Sequence, residues 1–259
     1  MIGVFDSGVG GLTALRELRR LRPDLDLIYY ADTAHLPYGT RSPDTLLRYA
    51  RRSVTALARM GVEGVLVACG TVSSVVLPRL QRELSLPLWG VVEPTVQMAW
   101  HRSRSKRIGV LGTAATVRSR AFERGLSALG SAVTVSRACP LFVSLAENGF
   151  TAPTDPVAQA AVAHYLAPMR AAEVDTLILG CTHFPLLAGA ISRFLPRVTL
   201  VGAGEASAAA LCAAQPRVGH GELAVFATDD PQALASQAER ILGGHLPCPV
   251  RLAPTCKDL

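Results

Sequence analysis

Short apolar runs alternate along the chain with longer stretches in which apolar residues recur every three or four positions. The short runs are typical of buried strands, and the longer stretches are typical of helices with one face against a core. Strands are predicted at residues 2–5, 27–30, 64–68, 88–91, 107–111, 133–136, 177–179, 198–200 and 223–227. Helices are predicted at residues 12–21, 43–60, 72–84, 117–129, 156–172 and 231–242, and a further helix is predicted to begin at Pro185. Because strands and helices alternate throughout, the pattern predicts parallel sheets with helices on both faces.

Two of the predicted strands are followed by the same arrangement of residues. Cys69 and Thr71 come directly after one strand, and Cys181 and Thr182 come directly after another. Each pair precedes a predicted helix, so each cysteine is placed between the carboxyl end of a strand and a helix N-terminus. Open α/β sheets bind their ligands at such places. The repetition indicates two related halves whose cysteines face each other.

The fold class predicted from this repetition is α/β, with two pseudo-symmetric domains that are each a mostly parallel sheet flanked by helices. The active site is predicted in the cleft between them. We place residues 1–92 and 205–259 in the first domain, with Cys69, because the last segment is too short to stand alone. Residues 93–204 form the predicted second domain, with Cys181.

The composition is that of a folded globular protein. Of 259 residues, 49% are hydrophobic and 18% are charged, and no apolar run approaches the roughly 20 residues that span a bilayer. No basic segment followed by an apolar one precedes the first predicted strand, so we expect a cytoplasmic protein without a membrane partner. The net charge is +6, but the basic residues are spread over predicted helix faces, and the densest run, 101–107, is interpreted as a solvated loop. A nucleic-acid partner is therefore not expected.

The positions of cysteine, histidine and lysine argue against a metal or a cofactor. The chain has no C-x-x-C and no histidine pair with metal-ligand spacing, so no metal site is predicted. Lys106 and Lys257 are not placed like a Schiff-base lysine, which argues against pyridoxal phosphate. We therefore expect no cofactor. The cysteines outside the repeated arrangement are interpreted as small buried hydrophobes; they are Cys139, Cys212, Cys248 and Cys256.

A glycine-rich turn, Asp6-Ser7-Gly8-Val9-Gly10-Gly11, follows the first predicted strand. It invites comparison with a dinucleotide-binding fingerprint, but Thr13 stands where the third glycine would be, and Asp6 would repel a phosphate. A nucleotide site is therefore not favoured. Two interpretations remain: Asp6 and Ser7 face a ligand at the strand end, or the turn is a buried polar segment that caps the following helix.

Three kinds of chemistry suit two thiols across one cleft. They can form a redox pair, although such pairs are commonly C-x-x-C. One of them can act as a nucleophile with His183 as its base. They can also act as an acid and a base on opposite faces of one carbon atom. The related halves favour the last, because inversion of a stereocentre needs a proton removed from one side and delivered to the other.

The motifs taken together carry a family resemblance. The chain resembles the cofactor-independent glutamate racemases of the aspartate/glutamate racemase superfamily. The matching segments are spread in order over most of the chain; they are GVFDSGVGGL (3–12), ADTAHLPYG (31–39), the Cys-x-Thr of 69–71, GTAAT (112–116), CPLFVSLAENG (139–149), GCTHFPLL (180–187) and FATDDP (226–231). The resemblance implies a two-base racemisation of glutamate without pyridoxal phosphate, a supply of D-glutamate for peptidoglycan, and a homodimer.

The resemblance also assigns roles to residues at the matching positions. Cys69 would act on the D-enantiomer with help from Asp6, and Cys181 on the L-enantiomer. His183 and Glu147 would assist Cys181. Further residues would hold the substrate, largely through hydroxyl groups and backbone amides; they are Asp6, Ser7, Pro37, Tyr38, Gly39, Gly70, Thr71, Thr113, Thr116, Thr182 and His183.

One departure from the family pattern concerns substrate choice. The family usually has Asn after its first catalytic cysteine, whereas this chain has Gly70. A lost hydrogen bond to a charged group is worth about 1.5–3 kcal/mol, enough to weaken binding tenfold or more. We expect the missing side chain to leave room for a water molecule, to admit another amino acid, or to slow the enzyme. A racemase of aspartate or another amino acid, and a racemase-fold binding or regulatory protein of low activity, are therefore kept as alternatives.

Overall fold

The structure, a computed structural model, describes residues 1–215 and 218–254 and contains two parallel sheets. The strands are β1 (Ile2–Asp6), β2 (Leu27–Ala31), β3 (Val65–Val67), β4 (Leu88–Gly90), β5 (Arg107–Gly112), β6 (Val133–Ala138), β7 (Thr176–Leu179), β8 (Thr199–Gly202), β9 (Leu223–Ala227) and β10 (Val250–Leu252). The helices are α1 (Leu12–Leu21), α2 (Pro43–Arg59), α3 (Gly70–Val75), α4 (Leu77–Glu83), α5 (Val92–Arg102), α6 (Ala114–Ser119), α7 (Ala121–Leu129), α8 (Pro140–Glu147), α9 (Pro156–Ala171), α10 (Ala188–Phe194), α11 (Ala203–Ala214) and α12 (Pro231–Leu242). Short 3₁₀ turns lie at Thr33–His35 and Phe184–Leu187.

The two sheets confirm the expected α/β class. The larger sheet has the strand order β10-β9-β2-β1-β3-β4 and the smaller one β6-β5-β7-β8, and the paired strands are parallel. β3 lies between β1 and β4, and β7 lies between β5 and β8. The strands that precede Cys69 and Cys181 are therefore both interior strands of their sheets.

Both interior strands are apolar because helices cover the two faces of each sheet. In β3, Leu66 belongs to the same buried cluster as Leu12 of α1, whereas its neighbour Val67 belongs to a second cluster that includes residues of α2. In β7, Leu177 and Ile178 are likewise in different clusters. Successive side chains thus enter cores on opposite faces, which explains why these strands show no polar alternation.

Two helices that the pattern did not predict, α5 and α11, connect the sheets. α5 contributes Val96 to a core of the smaller sheet, and α11 contributes Leu211 to a core of the larger one. The sequence of α11, AGEASAAALCAA, is rich in small residues and has no clear apolar stripe. The return of β9 and β10 to the larger sheet supports the domains 1–92 plus 205–259 and 93–204, which stay a prediction.

Two of the predicted helices are each divided in the structure. The stretch at 72–84 covers most of α3 and all of α4, which meet at Val76, because Pro78 has no N–H for the carbonyl four residues earlier. The stretch at 117–129 contains parts of α6 and α7, which meet at Arg120 with a left-handed φ of 53°. The second break was not foreseeable from the apolar spacing, which continues across it.

Candidate active site

The cleft between the halves holds a cavity of about 410 Å³ that both repeated cysteines line. Cys69 follows β3 and caps α3, and Cys181 follows β7 and Gly180. Both side chains are buried, with 4% and 7% of their surface exposed. The predicted site residues all line this cavity except Asp6 and Thr116. Residues far apart in sequence are therefore gathered around one space.

Asp6 and Thr116 lie behind the cavity wall, each next to another predicted residue. Asp6 is fully buried, and its Oδ1 accepts hydrogen bonds from the backbone N–H of Ser7 at 2.5 Å and from the Ser7 hydroxyl at 3.1 Å. The Thr116 hydroxyl lies 3.0 Å from that of Thr113, which lies 2.9 Å from that of Thr71. Asp6 and Thr116 can thus act on the cavity through these neighbours. The contact between Thr71 and Thr113 also joins the two halves.

Cys69 lies in surroundings that keep its thiol protonated. Its Sγ donates to the Ser7 hydroxyl at 3.7 Å. Burial raises the pKa of Cys69 to about 12, and the charge of Asp6 adds to the rise. Burial also raises the pKa of Asp6 above its ordinary value. These surroundings favour the thiol form of Cys69 at neutral pH.

Cys181 lies instead beside a cation. Its Sγ is 3.7 Å from His183 Nδ1, and His183 Nε2 is 3.1 Å from Glu147 Oε1, an ion-pair distance without an aligned hydrogen bond. Burial lowers the pKa of His183, but its interactions with Cys181, Glu147 and Asp6 outweigh burial and raise the pKa to about 10. His183 is therefore protonated at neutral pH. The two thiols thus lie in electrostatically different surroundings.

One face of α8 lines the cavity, although only Glu147 was predicted from it. Pro140, Val143, Ser144 and Glu147 all border the cavity, and their spacing of three and four residues places them on one face of the helix. Sequence reasoning missed the first three because the stretch was not assigned to a helix. A signal existed, since proline is typical of a first helical turn. The other unpredicted lining residues are Leu36, Thr40 and Ala114.

Tyr38 borders the cavity, but its hydroxyl is engaged elsewhere. Its Oη donates to Asp32 Oδ2 at 2.5 Å, and Asp32 Oδ1 accepts from the Thr228 hydroxyl at 2.9 Å. Burial and the charge of Asp32 hold the pKa of Tyr38 above its ordinary value. Tyr38 therefore presents its ring and backbone, and not its hydroxyl, to a molecule in the cavity.

Gly70 lies against the backbone of the other half. A Cβ atom at this position would lie much closer to the carbonyl oxygen of Gly180 than the 3.0 Å that real Cβ atoms keep from other atoms. The position of a Cβ atom at Gly70 is therefore filled by the other half, whereas the expectation that the missing Asn side chain leaves room for a water molecule stays a prediction. Glycine is the residue that this close approach of α3 to the Cys181 loop permits.

The remaining cysteines differ in burial. Cys139 is fully buried, as predicted, whereas Cys212 and Cys248 are half-buried at the margin of a core. Cys256 lies outside the described residues. Across residues 1–215 and 218–254, no group of three or more His, Cys, Asp and Glu side chains is arranged to hold a metal ion.

Comparison with known proteins identifies the family. Residues 13–211 match the Asp/Glu/Hydantoin racemase family. A glutamate racemase from Aquifex aeolicus (strain VF5) is 43% identical, over 93% of this chain and 94% of its own length. The glutamate racemase of Thermus thermophilus, in complex with beta-chloro-D-alanine, is 42% identical with a TM-score of 0.86, over 100% of this chain and 98% of its own.

The structure of a third relative contains D-glutamate. A glutamate racemase from Francisella tularensis subsp. tularensis SCHU S4, in complex with D-glutamate, is 28% identical with a TM-score of 0.89, over 99% of this chain and 98% of its own. The membership predicted from the motifs is confirmed by these matches, which extend over nearly the whole length of each relative. The chain belongs to the Asp/Glu/Hydantoin racemase family and, within it, to the glutamate racemases.

Proposed function

We propose that this chain interconverts L- and D-glutamate without a cofactor, with Cys69 and Cys181 as the two acid/base groups. One observation carries the proposal: two buried cysteines at equivalent strand ends of two sheets line the same cavity. A carbon atom bound between them would have a thiol on each face. The cavity volume lies within the range of small-molecule sites.

The surroundings of the two thiols suggest how a turnover begins. With L-glutamate bound, Cys181 as thiolate takes the α-proton while His183, held by Glu147, stabilises the charge. The protonated Cys69 then delivers a proton to the opposite face of the planar carbanion, which yields D-glutamate. Cys69 is left as a thiolate and Cys181 as a thiol, so the reverse reaction starts from the exchanged protonation states. Asp6 acts on Cys69 through Ser7.

The hydroxyl groups of the cavity supply donors for the substrate. Ser7, Thr71, Thr113 and Thr182 line it together with backbone groups of the two catalytic loops. An α-proton is weakly acidic, so the reaction needs fixed donors at the carboxylate that takes up the carbanion charge, in a site that excludes water. Buried hydroxyls meet that requirement without adding a net charge.

Gly70 favours a second candidate, a racemase of aspartate or another amino acid. The family's usual Asn anchor is absent from the cavity wall at Gly70, where the chain approaches the Gly180 carbonyl closely. A shorter substrate would need fewer anchors and less room. Glutamate remains the first candidate because the relatives that are more than 40% identical are glutamate racemases.

The test is whether the purified protein, under reducing conditions in D₂O, exchanges the α-proton of L- and D-glutamate for deuterium. Proton NMR measures this exchange as loss of the α-proton signal. Cys69→Ser and Cys181→Ser should abolish the exchange or restrict it to one enantiomer. Cys212→Ser, a half-buried thiol outside the cavity, should exchange both enantiomers as the unchanged protein does. Absence of exchange with glutamate but exchange with aspartate or another amino acid would select the second candidate, and absence of exchange with every amino acid tested would refute both.

The physiological setting is also part of the proposal. We place the enzyme in the cytoplasm, as a homodimer that supplies D-glutamate for peptidoglycan; the family resemblance supports the product and the dimer. Within the described residues, no helix has both the length and the apolar character that crossing a bilayer requires.

A further inference from the structure

A backbone carbonyl in the Cys181 loop lacks the partner that its turn would normally supply. In the 3₁₀ turn after Cys181, the N–H of Phe184 donates to Cys181 O at 3.1 Å, and the N–H of Leu186 donates to His183 O at 3.1 Å. The corresponding donor for Thr182 O would be the nitrogen of Pro185, which carries no hydrogen. A buried carbonyl without a partner is costly.

The missing bond is supplied from the other half of the molecule. Thr13, the second residue of α1, is buried, and its hydroxyl lies 3.2 Å from Thr182 O and 2.8 Å from Gly10 O. Gly10 O already accepts the backbone N–H of Thr13 at 3.0 Å. Among the described residues, Thr13 is the one donor to Thr182 O. The single hydrogen of the Thr13 hydroxyl is shared between these two carbonyls. Its contact with Thr182 O, across the cleft, is the one that no backbone N–H duplicates.

The glycine-rich turn is shaped to receive the same loop. A Cβ atom at Gly10 would lie 2.6 Å from His183 Nδ1 and closer still to Thr182 Oγ1. A side chain at this position would therefore displace the histidine whose Nδ1 contacts Cys181. The glycine-rich turn, which resembles a dinucleotide fingerprint, is therefore covered by Thr182 and His183. Thr13, which stands in place of the third glycine of that fingerprint, contacts the same loop.

We propose that Thr13 is a positioning residue for the second acid/base group: its hydroxyl holds the Cys181 loop against the first half and so fixes Cys181 and His183 relative to the cavity. The proposal rests on the proposed function for its kinetic consequence, and on the contact itself for its structural one. Thr13 does not line the cavity and acts through the loop.

Two substitutions separate the hydroxyl from the shape of the side chain. Thr13→Val keeps the branched shape without a donor, and Thr13→Ser keeps the donor. Thr95→Val is the matched control, because Thr95 is also buried near the start of a helix and its hydroxyl donates to a carbonyl of the same chain segment, Val91 O, at 2.5 Å. In the double variant Thr13→Val/Pro185→Ala, the backbone nitrogen of position 185 carries a hydrogen. It can donate to Thr182 O in place of the lost Thr13 hydroxyl.

The kinetic measurement is kcat/KM for each enantiomer with protonated and α-deuterated substrate. Thr13→Val should lower kcat/KM by about tenfold to a hundredfold, the loss expected when a catalytic group moves by roughly 1 Å. Because the step at Cys181 is slowed, the deuterium isotope effect should grow from the L side and shrink from the D side. A variant that merely folds less well would lose activity with unchanged isotope effects. Thr13→Ser and the double variant should recover most of the loss.

A second measurement does not depend on turnover. Backbone amide hydrogen exchange of residues 180–187, read by mass spectrometry, should be faster in Thr13→Val and unchanged in Thr95→Val. Equal exchange in the two variants, or unaltered isotope effects in Thr13→Val, would overturn the proposal. If the unchanged protein exchanges no α-proton, the proposed function fails, and the amide measurement still decides whether Thr13 holds the loop.

Discussion

Substitution of Gly70 tests whether the two halves meet as closely as the structure shows. An alanine methyl group at this position would fall well within 3.0 Å of the Gly180 carbonyl oxygen, and both partners are backbone groups that cannot rotate away. The helix α3 must therefore move away from the Cys181 loop. Since Cys69 directly precedes Gly70 and Cys181 directly follows Gly180, the same movement separates the two thiols.

The size of the movement sets the size of the effect. A separation of roughly 1 Å is needed to restore an ordinary contact, and a displacement of that size at a catalytic group can cost about a hundredfold in rate. Packing an extra methyl group into a tight contact typically costs about 1–3 kcal/mol of stability. We expect Gly70→Ala to lower kcat by ten- to a hundredfold and to leave the protein folded, because the halves can open slightly instead.

The variant Gly70→Asn distinguishes two consequences of having glycine at this position: the loss of a substrate anchor, and the close contact with Gly180. If Gly70 simply lacks an anchor, Gly70→Asn should tighten substrate binding by tenfold or more, the value of a hydrogen bond to a charged group of about 1.5–3 kcal/mol. If the close contact with Gly180 has the larger effect, the kcat of Gly70→Asn should be at least as low as that of Gly70→Ala. Initial rates followed by circular dichroism, with thermal unfolding alongside, distinguish the two.

The control for both variants is Gly244→Ala, where an added methyl group meets no atom within 4 Å. It should retain the activity and stability of the unchanged protein. Full activity in Gly70→Ala, or a lower KM in Gly70→Asn, would refute the reasoning from the close approach.

Three further predictions concern charges and hydroxyls of the cavity. His183 has a pKa of about 10 against an ordinary 6.5, so the stability it adds is fully present below pH 6.5 and is lost as the pH rises through 10; His183→Gln should flatten the fall in melting temperature over that interval, measured by calorimetry. Glu147→Gln removes the carboxylate 3.1 Å from His183 and should move the alkaline limb of the pH–rate profile to lower pH, whereas an unmoved limb would argue against the ion pair. Thr71→Val removes the hydroxyl 2.9 Å from that of Thr113 and should raise KM about tenfold in initial-rate measurements, while Thr45→Val, outside the cavity, should not.

Local signals were sufficient for much of the fold and for the two thiols. The bounds 12–21, 223–227 and 231–242 were predicted to the residue, because apolar runs there are bounded by proline, glycine or aspartate. The placement of both cysteines followed from the same signals, since each stands where an apolar run ends. The glycine-rich turn alone left Asp6 between a ligand contact and a helix cap, and only the family resemblance assigned it a role beside Cys69.

Helices without an amphipathic pattern could not be predicted from such local signals. α11 is packed along α1, where Gly204 lies against the backbone of Ala14, so its small residues serve close packing and leave no stripe to detect. α8 was missed for a different reason. It is short, and while one side packs Phe142 and Leu145 into a core, the other borders the cavity and carries both apolar and polar residues.

The contacts across the cleft depend on residues that local reasoning cannot bring together. Thr13 and Thr182 are 169 positions apart, and neither has a pattern that indicates the other. Yet Gly70 and Thr13 both meet backbone carbonyls of one short loop, those of Gly180 and Thr182, on either side of Cys181. The place of the second thiol is therefore set by the first half of the chain as much as by its own strand. It follows that the contact between the halves and the position of Cys181 depend on the same short loop, in which a glycine and a threonine without acid/base chemistry of their own take part.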